Sequence, residues 1–208
     1  MKLFLASRLA NEKSQGFFRE VFKNNEFKKV LFLATPRNGR VEWGKYHTSD
    51  SWNFLNNLNI DLKVLELEDY KKKTLNKDIL DNVDVLWIPG GATAYTMYWI
   101  RRTGFDLILK NNLEAINYIG ISAGAIITSK TLEVADWFIG DGERGAKHVP
   151  GLGLVDFDIY PHYEDKLHDE IEKLYKGKKI YLLKDSEVII VEDGEVQVIG
   201  EERVITNV

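Results

Sequence analysis

The segment Gly120-Ile121-Ser122-Ala123-Gly124 lies between two apolar stretches, Ala115-Ile116-Asn117-Tyr118-Ile119 before it and Ala125-Ile126-Ile127 after it. An apolar run, a small-residue turn and a second apolar run read as strand, sharp turn and helix. The segment has the form Gly-x-Ser-x-Gly. In such a turn the serine takes a strained backbone conformation, and the flanking glycines remove side chains that would clash there. The hydroxyl is then held into a cleft, where it can serve as a nucleophile in covalent catalysis.

Outward from this turn, strand-like and helix-like segments alternate. Leu3 to Ala6, Val30 to Ala34, Leu62 to Leu67 and Asp84 to Ile88 are short and mostly apolar, as buried parallel strands are. Ser14 to Asn24 has helical spacing at Phe17, Phe18, Val21 and Phe22. Ser49 to Leu58 reads as a helix capped by Ser49 or Asp50, and Thr74 to Asn82 as a short one. Thr93 to Asn111 reads as a helix with a break at Gly104. Glu133 to Gly153 contains Gly140, Gly142, Gly145, Pro150, Gly151 and Gly153 and reads as a loop, long enough to carry function. Val155 to Tyr160 and Lys179 to Leu183 are strands, with an amphipathic helix from Glu164 to Tyr175 between them. Glu187 to Val191 and Glu195 to Ile199 form a β-hairpin. The expectation is a single α/β domain over residues 1–208, three-layered, with a largely parallel sheet flanked by helices and a C-terminal hairpin.

Composition narrows the functional classes. The 208 residues include 44% hydrophobic and 29% charged side chains, an ordinary globular balance. There is no cysteine, so disulfides, thiolate metal sites and a cysteine nucleophile are excluded. The absence fits a cytoplasmic location. A net charge of -4 offers nucleic acid no electrostatic attraction. No apolar run has the ~18 residues of a membrane span. No carboxylate and histidine cluster has metal-ligand spacing, and neither a metal nor a cofactor is expected.

A serine nucleophile needs a base, an orienting acid and donors for the oxyanion. The Ala123 amide directly follows the nucleophile and is the natural first donor. Pro89-Gly90-Gly91 follows a strand, and its glycines let backbone amides approach a ligand; Gly91 is the second donor, with Gly90 the alternative. Of the four histidines, His47 and His148 lie in polar loops, and His168 lies on the amphipathic helix between Leu167 and Asp169. His162 follows an apolar strand and Pro161, at the strand end where open α/β sheets build their sites. Asp136, Asp185 and Glu187 are the candidate acids.

Three motifs in order carry a resemblance: Pro89-Gly90-Gly91, Ile121-Ser122-Ala123-Gly124-Ala125, and Gly151-Leu152-Gly153-Leu154-Val155 leading to Pro161-His162-Tyr163. Together they resemble the dipeptidase E (aspartyl dipeptidase) family of serine peptidases, whose fold is similar to that of class I glutamine amidotransferases. The resemblance implies a peptidase that removes an N-terminal aspartate from small peptides, chiefly dipeptides. It implies Ser122 as nucleophile, His162 as base, and the Gly91 and Ala123 amides at the oxyanion. An aspartate in the loop after the nucleophile helix matches Asp136, which the spacing favours; Asp185 lies where a later acid has also been proposed.

The chain departs from the family pattern at Ala92 and Ile126, where asparagine is frequent. Both positions are expected near the cleft, which leaves the aspartate preference open. Arg101, Arg102, Arg144 and Lys147 are candidate partners for a substrate carboxylate, the last two favoured. The expected partner is a small peptide substrate, with a homodimer left open. Two other readings stand beside the peptidase: a serine amidase or esterase on the same elbow, and a non-catalytic small-molecule binder.

Overall fold

Short apolar strands separated by helices bury both faces only by pairing side by side beneath helices. The structure, a computed structural model, describes residues 2–9, 11–40, 42 and 44–207. The ends of the 1–208 span, Met1 and Val208, lie outside the described residues. The strands are β1 (Lys2–Ala6), β2 (Lys29–Leu33), β3 (Asp61–Leu65), β4 (Val85–Ile88), β5 (Asn117–Ile121), β6 (Asp158–Tyr160), β7 (Lys179–Leu182), β8 (Val188–Glu192), β9 (Glu195–Ile199) and β10 (Val204–Thr206). Seven form one sheet in the order β3-β2-β4-β5-β1-β8-β9. From β3 to β1 all neighbours are parallel. β8 and β9 add an antiparallel hairpin, turning at Asp193 and Gly194, both with positive φ. The three-layer, largely parallel α/β sheet expected from the sequence is the fold of the chain.

Alternate residues of each strand face opposite sides. Leu3, Leu5, Leu31, Leu33, Leu86, Ile88 and Tyr118 belong to one core. Phe4, Ala6, Val30, Phe32, Val85, Trp87, Ile119 and Ile121 belong to the other. Helices α1 (Glu12–Asn24) and α3 (Asp50–Asn56) cover the second face. There Phe18, Phe22 and Phe54 pack around Trp87 with ring centroids 5.3, 6.2 and 5.9 Å away. Rings at these separations favour tilted or edge-on packing, adding to the burial of their surface. Asn11 caps α1 through its side chain, and the Ser49 hydroxyl accepts from Trp52 N at the start of α3.

The first face is covered by α4 (Thr93–Thr103) and α5 (Phe105–Asn112). The predicted Thr93–Asn111 helix divides at Gly104, whose φ of 72° ends α4 in a left-handed cap. Short helices α2 (Thr35–Asn38), α6 (Ala123–Ile126) and α7 (Glu133–Trp137) follow strand ends or loops. So the predicted Glu133–Gly153 loop begins as a helical turn, with another, 3₁₀, turn at Ala146–His148. The predicted Thr74–Asn82 helix is a 3₁₀ segment, Lys77–Leu80. The Glu164–Tyr175 helix is divided into a 3₁₀ turn and α8 (His168–Leu174).

A second, three-stranded sheet runs β10-β7-β6. β6 and β7 are parallel, with Tyr160 opposite Leu182. This small sheet is what the strand pattern alone does not reveal, and it carries half of the site.

Candidate active site

Two pairs of parallel strand ends build the site. In the large sheet β1 and β5 are neighbours, Ala6 opposite Ile121. The next residues are therefore Ser7 and Ser122, and Ser122 N–H donates to Ala6 O at 2.9 Å. In the small sheet β6 and β7 end at Tyr160 and Leu182, which brings His162 and Asp185 to one edge. Tyr163 N–H donates to Leu183 O at 2.9 Å and locks these two ends together.

At the elbow Ser122 has φ 51° and ψ -108°. L-residues with a side chain seldom adopt such angles, and strain of this kind concentrates at functional sites. The turn is possible because its glycines admit close backbone contact. A Cβ on Gly124 would lie 2.1 Å from Ile88 O, and one on Gly120 2.4 Å from Gly124 O. His162 also has positive φ, 57°. Thus both members of the central pair have positive φ.

Ser122 Oγ lies 3.0 Å from His162 Nε2. His162 Nδ1 lies 2.6 Å from Asp185 Oδ1. The carboxylate fixes the proton on Nδ1, which leaves Nε2 as an acceptor for the serine hydroxyl. The ring meets Phe138 edge-on at 6.3 Å, and Phe138 stacks on Tyr160 at 4.8 Å. Burial pushes the Tyr160 hydroxyl up to about 12, so this neighbour stays neutral.

Ser7 joins the two strand pairs. Its fully buried hydroxyl accepts from His162 N–H at 2.8 Å and donates to Asp185 Oδ1 at 3.3 Å. It fixes both partners of the imidazole chain from the large sheet. Sequence reading passed over Ser7. The available signal was its position directly after β1, at the same sheet edge as Ser122.

The preference for Asp136 is corrected by this geometry. Asp136 sits on α7, where its carboxylate accepts from Gly145 N–H and faces Lys147 Nζ at 3.8 Å. The glycine-rich turn folds back on α7 and takes the carboxylate for its own backbone. Asp185, the alternative, holds the place beside His162. Glu187 is buried elsewhere, accepting from Arg203, Lys184 N–H and Glu201 N–H.

The cleft around Ser122 and His162 has a volume of about 490 Å³. Gly90, Gly91 and Ala123 line it. A Cβ on Gly91 would meet Pro36 O at 2.1 Å, so only glycine fits between Pro36 and the cleft. The first N–H groups of a helix have no acceptor inside it, and Ala123 is the first residue of α6, directly after Ser122. The cleft's guanidiniums are Arg8 and Arg37, while Arg144 and Lys147 are not among its lining residues. Burial lowers the Arg37 pKa, partly offset by nearby Asp50. Arg101 is engaged with Asp106 and Gly151 O, and Arg102 lies over the Trp99 ring. Of the two departures from the family pattern, Ile126 lines the cleft. Ala92 is buried with its Cβ toward Gly39.

The far wall is the segment after α7. Glu143 reaches the start of α4, where its carboxylate accepts from Thr93 N–H at 2.5 Å and Ala94 N–H at 2.8 Å. Asp141 pairs with Arg40. Among the described residues no group of three or more histidines and carboxylates is placed to hold a metal ion. Among them, too, no helix is long and apolar enough to cross a membrane.

This arrangement can be compared with known proteins. The model of peptidase family S51 matches residues 3–199. An uncharacterized peptidase of Listeria monocytogenes, Lmo0363, is 30% identical over 188 residues, covering 86% of this chain and 89% of its own. A counterpart from Listeria innocua, Lin0382, is 31% identical over 193 residues, covering 86% and 88%. The crystal structure of a candidate peptidase E from Listeria monocytogenes EGD-e superposes with a TM-score of 0.73 at 26% identity, covering 95% of this chain and 96% of that one. A peptidase from an acI-B1 Actinobacterium shares the fold, with a TM-score of 0.67 at 16% identity over 99% and 93% of the two chains. The chain belongs to peptidase family S51, the dipeptidase E family of serine peptidases.

Proposed function

We propose that the protein is an exopeptidase that hydrolyses short peptides, chiefly dipeptides with an N-terminal aspartate, through an acyl-enzyme on Ser122. The observation that carries this reading is the continuous chain from Ser122 Oγ to His162 Nε2, 3.0 Å, and from His162 Nδ1 to Asp185, 2.6 Å. Ser122 Oγ attacks the scissile carbonyl carbon while His162 Nε2 takes its proton. Asp185 holds the imidazole in the required tautomer and stabilises the imidazolium that forms. The Gly91 and Ala123 amides, with Gly90 beside them, receive the oxyanion. The tetrahedral intermediate then breaks its C–N bond, and His162 returns the proton to the leaving amine. Water, activated by the same imidazole, releases the acyl group from Ser122.

Charges lining the cleft support a short, charged substrate. Arg37 is the cleft cation for an aspartate side chain, in place of Arg144 and Lys147. Carboxylates at Asp50 and Asp141 give the cleft a counterpart for a free α-amino group. A wall closed by the Glu143 contact with α4 limits the length of chain that the cleft accepts.

Incubation with Asp-Leu, Asn-Leu, Ala-Leu and Lys-Leu, read by release of leucine, tests the proposal. Asp-Leu is expected to turn over fastest, and Arg37→Gln to erase that preference. Absence of hydrolysis of every dipeptide, with wild type and Ser122→Ala indistinguishable, would sink the peptidase reading. The 3.0 Å contact between Ser122 and His162 favours catalysis over the non-catalytic binder.

A further inference from the structure

His162 stands where two hollows meet. One is the cleft around Ser122. The other is a groove of about 720 Å³ bordered by Lys166, Lys184 and Asp185. Arg8 and His162 line both. The inference rests on the peptidase reading above. In that reaction His162 delivers a proton to the leaving amine. The departing residue must then lie on the His162 side of the scissile bond, toward the groove. In a dipeptide the departing residue ends in a free carboxylate, one Cα beyond the nitrogen that His162 protonates. A carboxylate held there, partly out of water, needs a cation.

Three cations line the groove. Lys166 Nζ is 2.7 Å from Glu164, and Lys184 Nζ is 2.7 Å from Asp165. Arg8 Nη1 stands farther from its partner, 3.5 Å from Asp185 Oδ2. Its side chain is 51% exposed, which leaves the guanidinium open to a ligand. Of these three cations, Arg8 alone also borders the Ser122 cleft. A guanidinium has five N–H donors in a planar fork, so it can face Asp185 with one edge and a second carboxylate with another. Its backbone is placed by the neighbouring Ser7, whose hydroxyl is fixed to His162 and Asp185.

We propose that Arg8 binds the C-terminal carboxylate of the departing residue and thereby makes the enzyme select dipeptides over longer peptides. In a tripeptide a neutral amide occupies the place of that carboxylate, and Arg8 gains no charged partner.

The test measures affinity by calorimetry on the Ser122→Ala protein, using Asp-Leu, Ala-Leu and Lys-Leu and the C-terminal amide of each. The free acid of the best-bound dipeptide is expected to bind at least about tenfold more tightly than its amide. That ratio should fall toward one with Arg8→Gln added and recover in part with Arg8→Lys. In the active protein the acid-to-amide ratio of kcat/KM should move in the same way. A merely structural role would weaken acid and amide alike and leave the ratio unmoved. That result, or equal or absent binding of acids and amides by the Ser122→Ala protein, overturns the assignment. Because binding is read without turnover, an acid preference that depends on Arg8 in a protein that cleaves no dipeptide overturns the peptidase reading alone.

Discussion

The strand-end rim and the segment from Glu133 to Gly153 both face the cleft, and each carries an aspartate that could have served His162. They use their carboxylates differently. On the rim, Asp185 accepts from the imidazole, and Ser7 steadies both from the opposite sheet. In the segment, Asp136 accepts from Gly145 N–H, and Glu143 from Thr93 and Ala94 N–H. Glycine-rich backbone turns present N–H groups that strands would have paired, and nearby carboxylates satisfy them. Strand ends have placed most of their backbone bonds in the sheets, with His162 N–H going to Ser7 Oγ. Their side chains remain free for chemistry.

This contrast can be broken by substitution. Ser122→Ala carries the largest expected effect, a loss of several orders of magnitude in kcat, because the members of a triad act as a unit. Asp185→Asn should cost about 10³–10⁴ in kcat by favouring the wrong tautomer of His162. Asp136→Asn, read in the same assay, should change kcat less than about tenfold, since Asn still accepts from Gly145 N–H. Equal losses for Asp185→Asn and Asp136→Asn would erase the distinction between rim and wall.

Smaller effects sharpen the same comparison. Ser7→Ala leaves His162 N–H without its acceptor and removes one of the donors that hold Asp185. A fall of about tenfold in kcat is expected, with little change in KM, by steady-state kinetics. Glu143→Ala should act on stability instead. It strips the acceptor from two amides at the start of α4, costing about 1–2 kcal/mol in urea unfolding. Its kcat should follow the wild type once the protein is folded.

Much of this site can be read from residues in order. The Gly-x-Ser-x-Gly elbow names Ser122 because the φ of 51° there needs glycine on both sides to clear Ile88 and Gly124. His162 is legible as a polar residue just beyond an apolar strand. The choice of acid is not legible. Asp136 lies 14 residues after Ser122 by their numbers, and Asp185 lies 63 after it, and proximity along the chain favours the one that does not meet His162. Only the parallel pairing of β6 with β7 brings Asp185 to His162. The cations that line the cleft follow the same rule. Arg144 and Lys147 are near in sequence to the glycine-rich wall, yet the cleft is lined by Arg8 and Arg37.

The alternating α/β order, the elbow, the hairpin and the absence of cysteine chemistry are written in the order of residues. These depend on local conformation and composition, which neighbouring residues specify. The tertiary structure decided which carboxylate meets the imidazole, that Ser7 ties the two sheets together, and that Arg8 rather than a loop lysine stands at the mouth of the cleft. Those depend on which strand ends become neighbours across the fold, and strand order is a property of packing that no short stretch of chain contains.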